Sequence, residues 1–226
     1  MNIMELDKNY RIEILNIEYL DKIQILLDRN YIQDSNNIFR IIYSTDYLYW
    51  YLKDAIILGL FYLDNLIGMF SAKQMKIYVD NELIDISYLN FLCISKNFRK
   101  KNLGKILIDK MKKIINNFIF RSFIHVNTNC MCISEQYQIP INCEKLRRIG
   151  FINENYQLKP CNQLLHLLKE KHITDLVEKL NIHLTKYNIR PFVDFDFVRN
   201  YLIPKKNIVY SFVIENSNGI SDFISV

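Results

Sequence analysis

Tyr88-Leu89-Asn90-Phe91-Leu92-Cys93-Ile94 runs directly into Ser95-Lys96-Asn97-Phe98-Arg99-Lys100-Lys101-Asn102-Leu103-Gly104. The first seven residues read as a buried strand and the next few as a basic turn. A helix then runs from Asn102 to Asn116, with Leu103, Ile106, Leu107, Met111, Ile114 and Ile115 as its apolar stripe. A turn of this kind presents successive backbone N–H groups at a helix N-terminus, where the dipole adds partial positive charge, so a pyrophosphate fits there. Arg99, Lys100 and Lys101 add full charges, and Gly104 lets a ligand approach the backbone closely. Taken alone, such a run is more often a solvated basic loop, so its surroundings have to decide.

Upstream, Tyr19 to Asn30 has the spacing of a helix and Tyr31 to Asn37 is loop-like. Thr45 to Leu52 reads as a short helix entered through Ser44 or Thr45, either of which can cap it. Strands are expected at Ile56 to Leu63 and Leu66 to Lys73, joined by the turn Asp64-Asn65, with Lys76 to Val79 and Ile84 to Ile94 continuing the sheet. Downstream, Arg121 to Asn127 reads as a strand, and Cys143 to Ile149 as a helix that Gly150 can end.

Beyond Leu158 the pattern restarts. Leu20-Asp21-Lys22-Ile23-Gln24-Ile25 pairs with Val177-Glu178-Lys179-Leu180-Asn181-Ile182, and Asp46-Tyr47-Leu48 with Asp196-Phe197-Val198. Val209 to Glu215, Asn216 to Gly219 and Ser221 to Val226 then repeat the strand, turn and strand of Ile56 to Ala72. Helix-then-hairpin patterns also recur by chance, so the repeat is an expectation. It divides the chain into a unit over 1–160 and a partial second copy over 161–226. The copy stops before any equivalent of the Tyr88 to Asn116 strand and helix.

Composition excludes several classes. Apolar residues make up 50% of the 226, enough for a core, and charged residues 23%, which argues against disorder. A net charge of +5 is too mild to indicate nucleic acid and suits an anionic small molecule equally well. The five cysteines, Cys93, Cys130, Cys132, Cys143 and Cys161, form no CxxC pair. Reduced thiols in a cytoplasmic protein are the expectation, with no metal site. The longest apolar run, Ala55 to Leu63, is too short for a membrane span.

Arg99-x-x-Asn102-x-Gly104 resembles the CoA pyrophosphate loop of GNAT acyltransferases, with Asn in place of the first Gly. Asn can still reach the left-handed region. Asn90-Phe91-Leu92-Cys93 followed by Lys96 and Arg99 resembles the N-myristoyltransferase signature Glu-x-Asn-Phe-Leu-Cys-Val-His-Lys-x-Leu-Arg. Tyr31-Ile32-Gln33-Asp34-Ser35-Asn36-Asn37-Ile38-Phe39-Arg40 is similar to that family's Tyr-Val-Glu-Asp loop, and Tyr43-Ser44, Leu48 and Trp50 follow it in the family's order. Leu66-Ile67-Gly68 to Ser71-Ala72 resembles its Leu-Val-Gly-Phe-Ile-Ser-Ala, and Asn207 to Asn216 with Asp222-Phe223 resembles a strand of its second half.

The resemblance implies an α+β fold of GNAT-like halves, one complete and one partial. It also implies an enzyme that moves a myristoyl group from myristoyl-CoA to the N-terminal glycine of peptides by direct attack on the thioester. By position it makes the backbone N–H groups of Phe91 and Leu92 the oxyanion hole and brings Thr128 near the glycine amine. It assigns Asn90, Cys93, Ile94, Arg99, Lys100, Lys101, Asn102, Leu103 and Gly104, with Phe91 and Leu92, to acyl-CoA. Tyr31, Ile32, Asp34, Asn36, Phe39 and Tyr43 fall to the peptide side. Residue by residue, Phe39, Tyr43 and Trp50 would more often be simple core aromatics, and Asp34 and Asn36 loop formers. Three departures stand out. The family's N-terminal stretch is absent. A peptide-side His falls near Gln138. The C-terminal carboxylate that serves the family as base has no counterpart if the chain ends mid-repeat at Val226. A weak enzyme, a module that holds acyl-CoA or peptide without turnover, an ordinary GNAT acetyltransferase, or a chain completed by a separate second chain are the resulting alternatives.

Overall fold

The computed structural model describes residues 8–31, 41–120, 142–153 and 164–226, and all that follows concerns these. The chain opens with β1 (Tyr10–Leu15), a 3-10 turn at Ile17–Tyr19 and helix α1 (Leu20–Asn30), which buries Ile23, Leu26 and Leu27. Helix α2 (Thr45–Leu52) is entered through Ser44, whose hydroxyl accepts from the Tyr47 N–H at 3.2 Å. Strands β2 (Ala55–Tyr62), β3 (Asn65–Val79) and β4 (Glu82–Ile94) then form an antiparallel meander with β1 on its outer edge. Helix α3 (Leu103–Met111) carries the chain back over the sheet to β5 (Phe118–Phe120), which pairs parallel with β4.

The two faces of this sheet bury separate cores. Leu48, Leu52, Ile57, Phe61, Met69 and Phe91 pack under α1 and α2. Leu58, Leu60, Phe70 and Leu89 pack under Leu103, Leu107 and Met111 of α3. A sheet covered on both faces needs nearly continuous apolar strands, which is how β2 and the first half of β3 read.

Several boundaries differ from expectation. The first hairpin turns at Leu63-Asp64, one residue earlier than Asp64-Asn65, because Asn65 pairs with Tyr62. Leu63 takes the left-handed conformation, φ 53°, and its N–H donates to the Asn9 carbonyl. The segments Lys76 to Val79 and Ile84 to Ile94 belong to one long hairpin closed by Asp80-Asn81, both at positive φ. That is the backbone of a type I′ turn. Helix α3 stops at Met111 and tightens into i+3 bonds, yet Ile115 remains 6% exposed in the core, so the apolar stripe outruns the helix. The strand expected at Arg121 to Asn127 lies outside the described residues.

Helix α4 (Cys143–Arg148) ends as expected at Gly150, φ 70°. The second segment begins with β6 (His166–Leu167), followed by a 3-10 turn at Glu170–His172 and helix α5 (Ile173–Leu184). Strand β7 (Ile189–Pro191) leaves to pair with β3 at Ile77 to Val79. Helix α6 (Phe195–Tyr201), capped by Asp194, then leads to β8 (Ser211–Asn216) and β9 (Gly219–Ser225). The second sheet has the order β6-β8-β9, all antiparallel. Strand, 3-10 turn, two helices and hairpin thus occur twice, and β6-β8-β9 repeats the pairing of β1-β2-β3.

Candidate active site

Strand β4 breaks its own ladder at Phe91-Leu92. Met69 pairs with Cys93 and Ser71 with Asn90, so Phe70 alone faces two residues of β4. Such a bulge takes backbone groups out of the ladder and kinks the strand. Phe91 sits at φ 54°, a conformation that costs a non-glycine residue about 1–3 kcal/mol. It is held there by its side chain. The ring is 1% exposed and lies 5.1 to 5.6 Å, centroid to centroid, from Tyr43, Tyr51 and Tyr31.

Asn90 organises the backbone around the bulge. Its Oδ1 accepts from the Phe91 N–H at 2.8 Å and, at a long 3.4 Å, from the Tyr31 hydroxyl. Its Nδ2 donates to the Tyr51 hydroxyl, also at 3.4 Å, and its carbonyl accepts from Ser71 Oγ at 2.9 Å. Burial, ahead of neighbouring charges, pushes the Tyr31 and Tyr51 hydroxyls up to about 12. Both remain protonated donors at neutral pH, and neither is a base. Burial likewise pushes the Cys93 thiol up to about 12, so next to the bulge there is no thiolate nucleophile.

Below the bulge lies a cavity of about 390 Å³ lined by Asn30, Tyr31, Leu92, Cys93, Ile94, Arg99 and Gly104. The turn between two of its lining residues, Arg99 and Gly104, has two left-handed residues, Lys100 at φ 63° and Asn102 at φ 57°. Asn102 stands at the N-cap of α3 without a side-chain bond to the first turn. Its left-handed backbone is the conformation that the sequence required of an Asn in a glycine's place. A Cβ on Gly104 would meet only Ile94, at 4.0 Å. The protein itself therefore does not demand glycine there, and an added side chain would enter the cavity.

Arg99 lines the cavity and is also tied to the backbone. Its Nε donates to the Ile94 carbonyl at 3.0 Å and an Nη to the Asn30 carbonyl at 2.5 Å. Asn30 Oδ1 in turn accepts from the Lys96 N–H. The guanidinium thus fastens the end of α1 to the end of β4. Lys100 and Lys101 are exposed, and the Lys101 ammonium lies over the Phe98 ring at 5.3 Å.

The structure therefore brings Tyr31, Tyr43, Asn90, Phe91, Leu92, Cys93, Ile94, Arg99, Lys100, Lys101, Asn102, Leu103 and Gly104 to one end of the sheet. Ile32, Asp34, Asn36, Phe39 and Thr128 lie outside the described residues. Sequence reasoning missed two side chains in this region, Tyr51 and Lys73. Tyr51 had a signal in its helical spacing from Tyr47, with which it stacks at 6.1 Å. Lys73 had none beyond being a charge at the end of an apolar strand. No cluster of His, Cys, Asp or Glu suited to a metal is found among the described residues, nor any helix long and apolar enough to cross a membrane.

Residues 2–137 match the family described as Myristoyl-CoA:protein N-myristoyltransferase, N-terminal domain. A protein of Acanthamoeba polyphaga mimivirus described as a glycylpeptide N-tetradecanoyltransferase is 36% identical over 96% of this chain and 64% of its own. The glycylpeptide N-tetradecanoyltransferase of Plasmodium falciparum is 29% identical over 88% of this chain and 55% of its own. The chain thus spans less than two thirds of the length of these relatives. Among solved structures, Saccharomyces cerevisiae N-myristoyltransferase with bound myristoyl-CoA superposes with a TM-score of 0.81. That match covers 98% of this chain and 61% of the yeast one, at 19% identity, which speaks for the fold. With the family's N-terminal domain matched over more than half of its residues, the chain belongs to the N-myristoyltransferase family.

Proposed function

We propose that this chain transfers a myristoyl group from myristoyl-CoA to the N-terminal glycine of peptides and proteins in the cytoplasm. One observation carries the proposal: Leu92 of the bulge lines the same cavity as Arg99 and Gly104, the two residues that flank the left-handed turn at Lys100 to Asn102. The turn, with the uncapped N-terminus of α3 and the charges of Lys100 and Lys101, suits the CoA phosphates. Arg99, which lines the cavity, also braces the turn through the Ile94 and Asn30 carbonyls. The thioester carbonyl would lie against the N–H groups of Phe91 and Leu92, each worth up to about 3 kcal/mol to an oxyanion in a dry site. Because Asn90 Oδ1 holds the Phe91 N–H in this structure, that donor serves only once the Asn90 side chain turns away.

In the reaction the amine nitrogen of glycine bonds to the thioester carbon and the C–S bond breaks. The CoA thiolate leaves and takes the proton the amine gives up. The neutral Cys93 thiol fits direct attack without an acyl-enzyme. Tyr31 and Tyr43 belong to the acceptor side of the bulge, where Ile32, Asp34, Asn36, Phe39 and Thr128 are also proposed. The repeated element order supports a GNAT-like acyl-CoA unit over 1–160 and a partial repeat over 161–226.

Calorimetry with myristoyl-CoA and acetyl-CoA tests the donor. Each buried CH₂ contributes about 0.8 kcal/mol, so myristoyl-CoA should bind tighter by several powers of ten. Equal affinities would overturn the myristoyl assignment and favour an acetyltransferase.

A further inference from the structure

We propose that Lys73 is a positioning residue for the acceptor: its caged ammonium, held against the same Tyr51 ring whose hydroxyl meets Asn90, keeps an incoming glycine amine uncharged. The inference rests on the acyl-transfer reading above and adds to it the group that sets the amine's protonation state.

Lys73 lies on β3, opposite Tyr88 of β4, and is 8% exposed. It points to the same side as its neighbour Ser71, whose hydroxyl bonds the Asn90 carbonyl. Its Nζ donates to the Tyr51 carbonyl at 3.0 Å. Three rings wall it in, with centroids 5.0 Å away for Tyr51, 5.3 Å for Tyr201 and 5.6 Å for Trp50. Two of these rings come from α2 and the third from α6, so both segments of the chain build the cage.

Among the described residues no carboxylate lies within ion-pair distance of Lys73. The groups that face it are the Tyr51 phenol of α2, Lys53 and Asp54 just beyond α2, the Tyr88 phenol of β4 and the Tyr201 phenol of α6. Asp54 is also paired, at 4.0 Å, with Lys53. Ring faces and a carbonyl stabilise the cation without neutralising it, so its field reaches outward. Burial and Lys53 lower the Lys73 pKa, and Asp54 partly opposes them.

The acceptor amine has to reach the Phe91-Leu92 bulge from the Tyr43 and Tyr51 side, because the cavity with Arg99 and Gly104 occupies the other. Its reference pKa is about 8, so at neutral pH most of it arrives as ammonium, which cannot attack. The hydroxyls beside Asn90 do not remove that proton. Two cations near one aromatic ring in a site of low dielectric repel, and the pair then holds fewer protons than its members hold apart. Whichever nitrogen gives up the proton, binding is accompanied by release.

The alternative is that Lys73 only caps the C-terminal end of α2 through the Tyr51 carbonyl. Proton linkage separates the two roles. The full chain, saturated with the non-transferable thioether analogue of myristoyl-CoA, is titrated with a short N-terminal glycine peptide in buffers of different ionisation enthalpy. A twin peptide with hydrogen in place of the α-amine is the control. We expect release of about one proton at pH 7 and an affinity that rises up to tenfold per pH unit between about pH 6 and 8, with a flat profile for the twin. Lys73→Met should lose the release and gain affinity at pH 6, and Lys73→Arg should retain wild-type behaviour. Lys73→Gln serves in place of Lys73→Met if that variant melts early. Unchanged proton release in the uncharged variants, or ammonium binding without release by the wild type, overturns the role of Lys73 and leaves the acyl-transfer reading standing. Failure of the loaded wild type to bind the glycine peptide while it binds myristoyl-CoA overturns the acceptor reading, and this inference with it.

Discussion

Arg99 and its two lysine neighbours differ in what holds them. The guanidinium is engaged by the carbonyls of Ile94 and Asn30, whereas Lys100 and Lys101 carry exposed charge. Bonds to a charged donor contribute about 1.5–3 kcal/mol each, and an exposed site lies at or below the low end of that range. Arg99→Ala should therefore lower the melting temperature and weaken CoA binding as a consequence. The double variant Lys100→Ala/Lys101→Ala should weaken CoA binding and leave the melt unchanged. Thermal melts beside calorimetry check this. A melt unaltered by Arg99→Ala would return the guanidinium to the phosphates. The sequence could identify the cations, but not which of them is tied to the backbone, because that depends on two carbonyls supplied by α1 and β4. The left-handed Asn102 was legible, since Asn adopts that conformation locally. Phe91 was not: no phenylalanine announces a positive φ, and three tyrosine rings from elsewhere in the chain fix it.

Helices and strands with strong periodicity were legible to within a few residues, as α1, α2 and β4 show. What escaped was set by pairing between elements. The first turn moved by one residue because a register shift between Leu60 and Phe61 lets Asn65 pair with Tyr62. The β3–β4 turn had a signal in Asp80-Asn81, and β7 had none, being a three-residue addition to the far end of β3. In the second segment one carboxylate joins α5 to the β8–β9 hairpin. Asp175 accepts from the Ile220 N–H at 2.6 Å and is paired with Lys179, which also reaches the Asn218 carbonyl. The bond to Ile220, ahead of Lys179, holds the Asp175 pKa below the usual range. A depressed carboxylate contributes stability above its unfolded pKa of about 3.9 and loses it as pH falls through the folded value. The wild type should thus be more stable than Asp175→Asn at pH 6, and the gap should narrow below about pH 4. Chemical denaturation followed across that range checks this, and a constant gap would contradict it.

At the scale of the molecule, the first and second segments are joined by a small set of contacts. Strand β7 pairs with β3, Arg190 reaches Asn81 at 2.9 Å, and Trp50 of the first segment donates to the Asn200 carbonyl at 3.0 Å and meets the Tyr201 ring edge-on at 5.6 Å. Trp50→Phe keeps an aromatic ring and removes the hydrogen bond. It should cost on the order of 1 kcal/mol and raise amide exchange in α6 more than in α1. Equal exchange in both helices would show that the bond does not join the two segments. The repeat predicted the two sets of elements, but not this junction, because nothing in either copy encodes how it meets the other.

Trp50 has one further consequence. It is the chain's single tryptophan, placed between the halves and beside the caged ammonium. Nearly all of the protein's long-wavelength ultraviolet emission therefore originates at that one indole. The molecule carries its own fluorescent gauge of the junction. Its colour and its quenching by small solutes register the separation of the two halves, while the fourteen phenylalanines elsewhere stay dark.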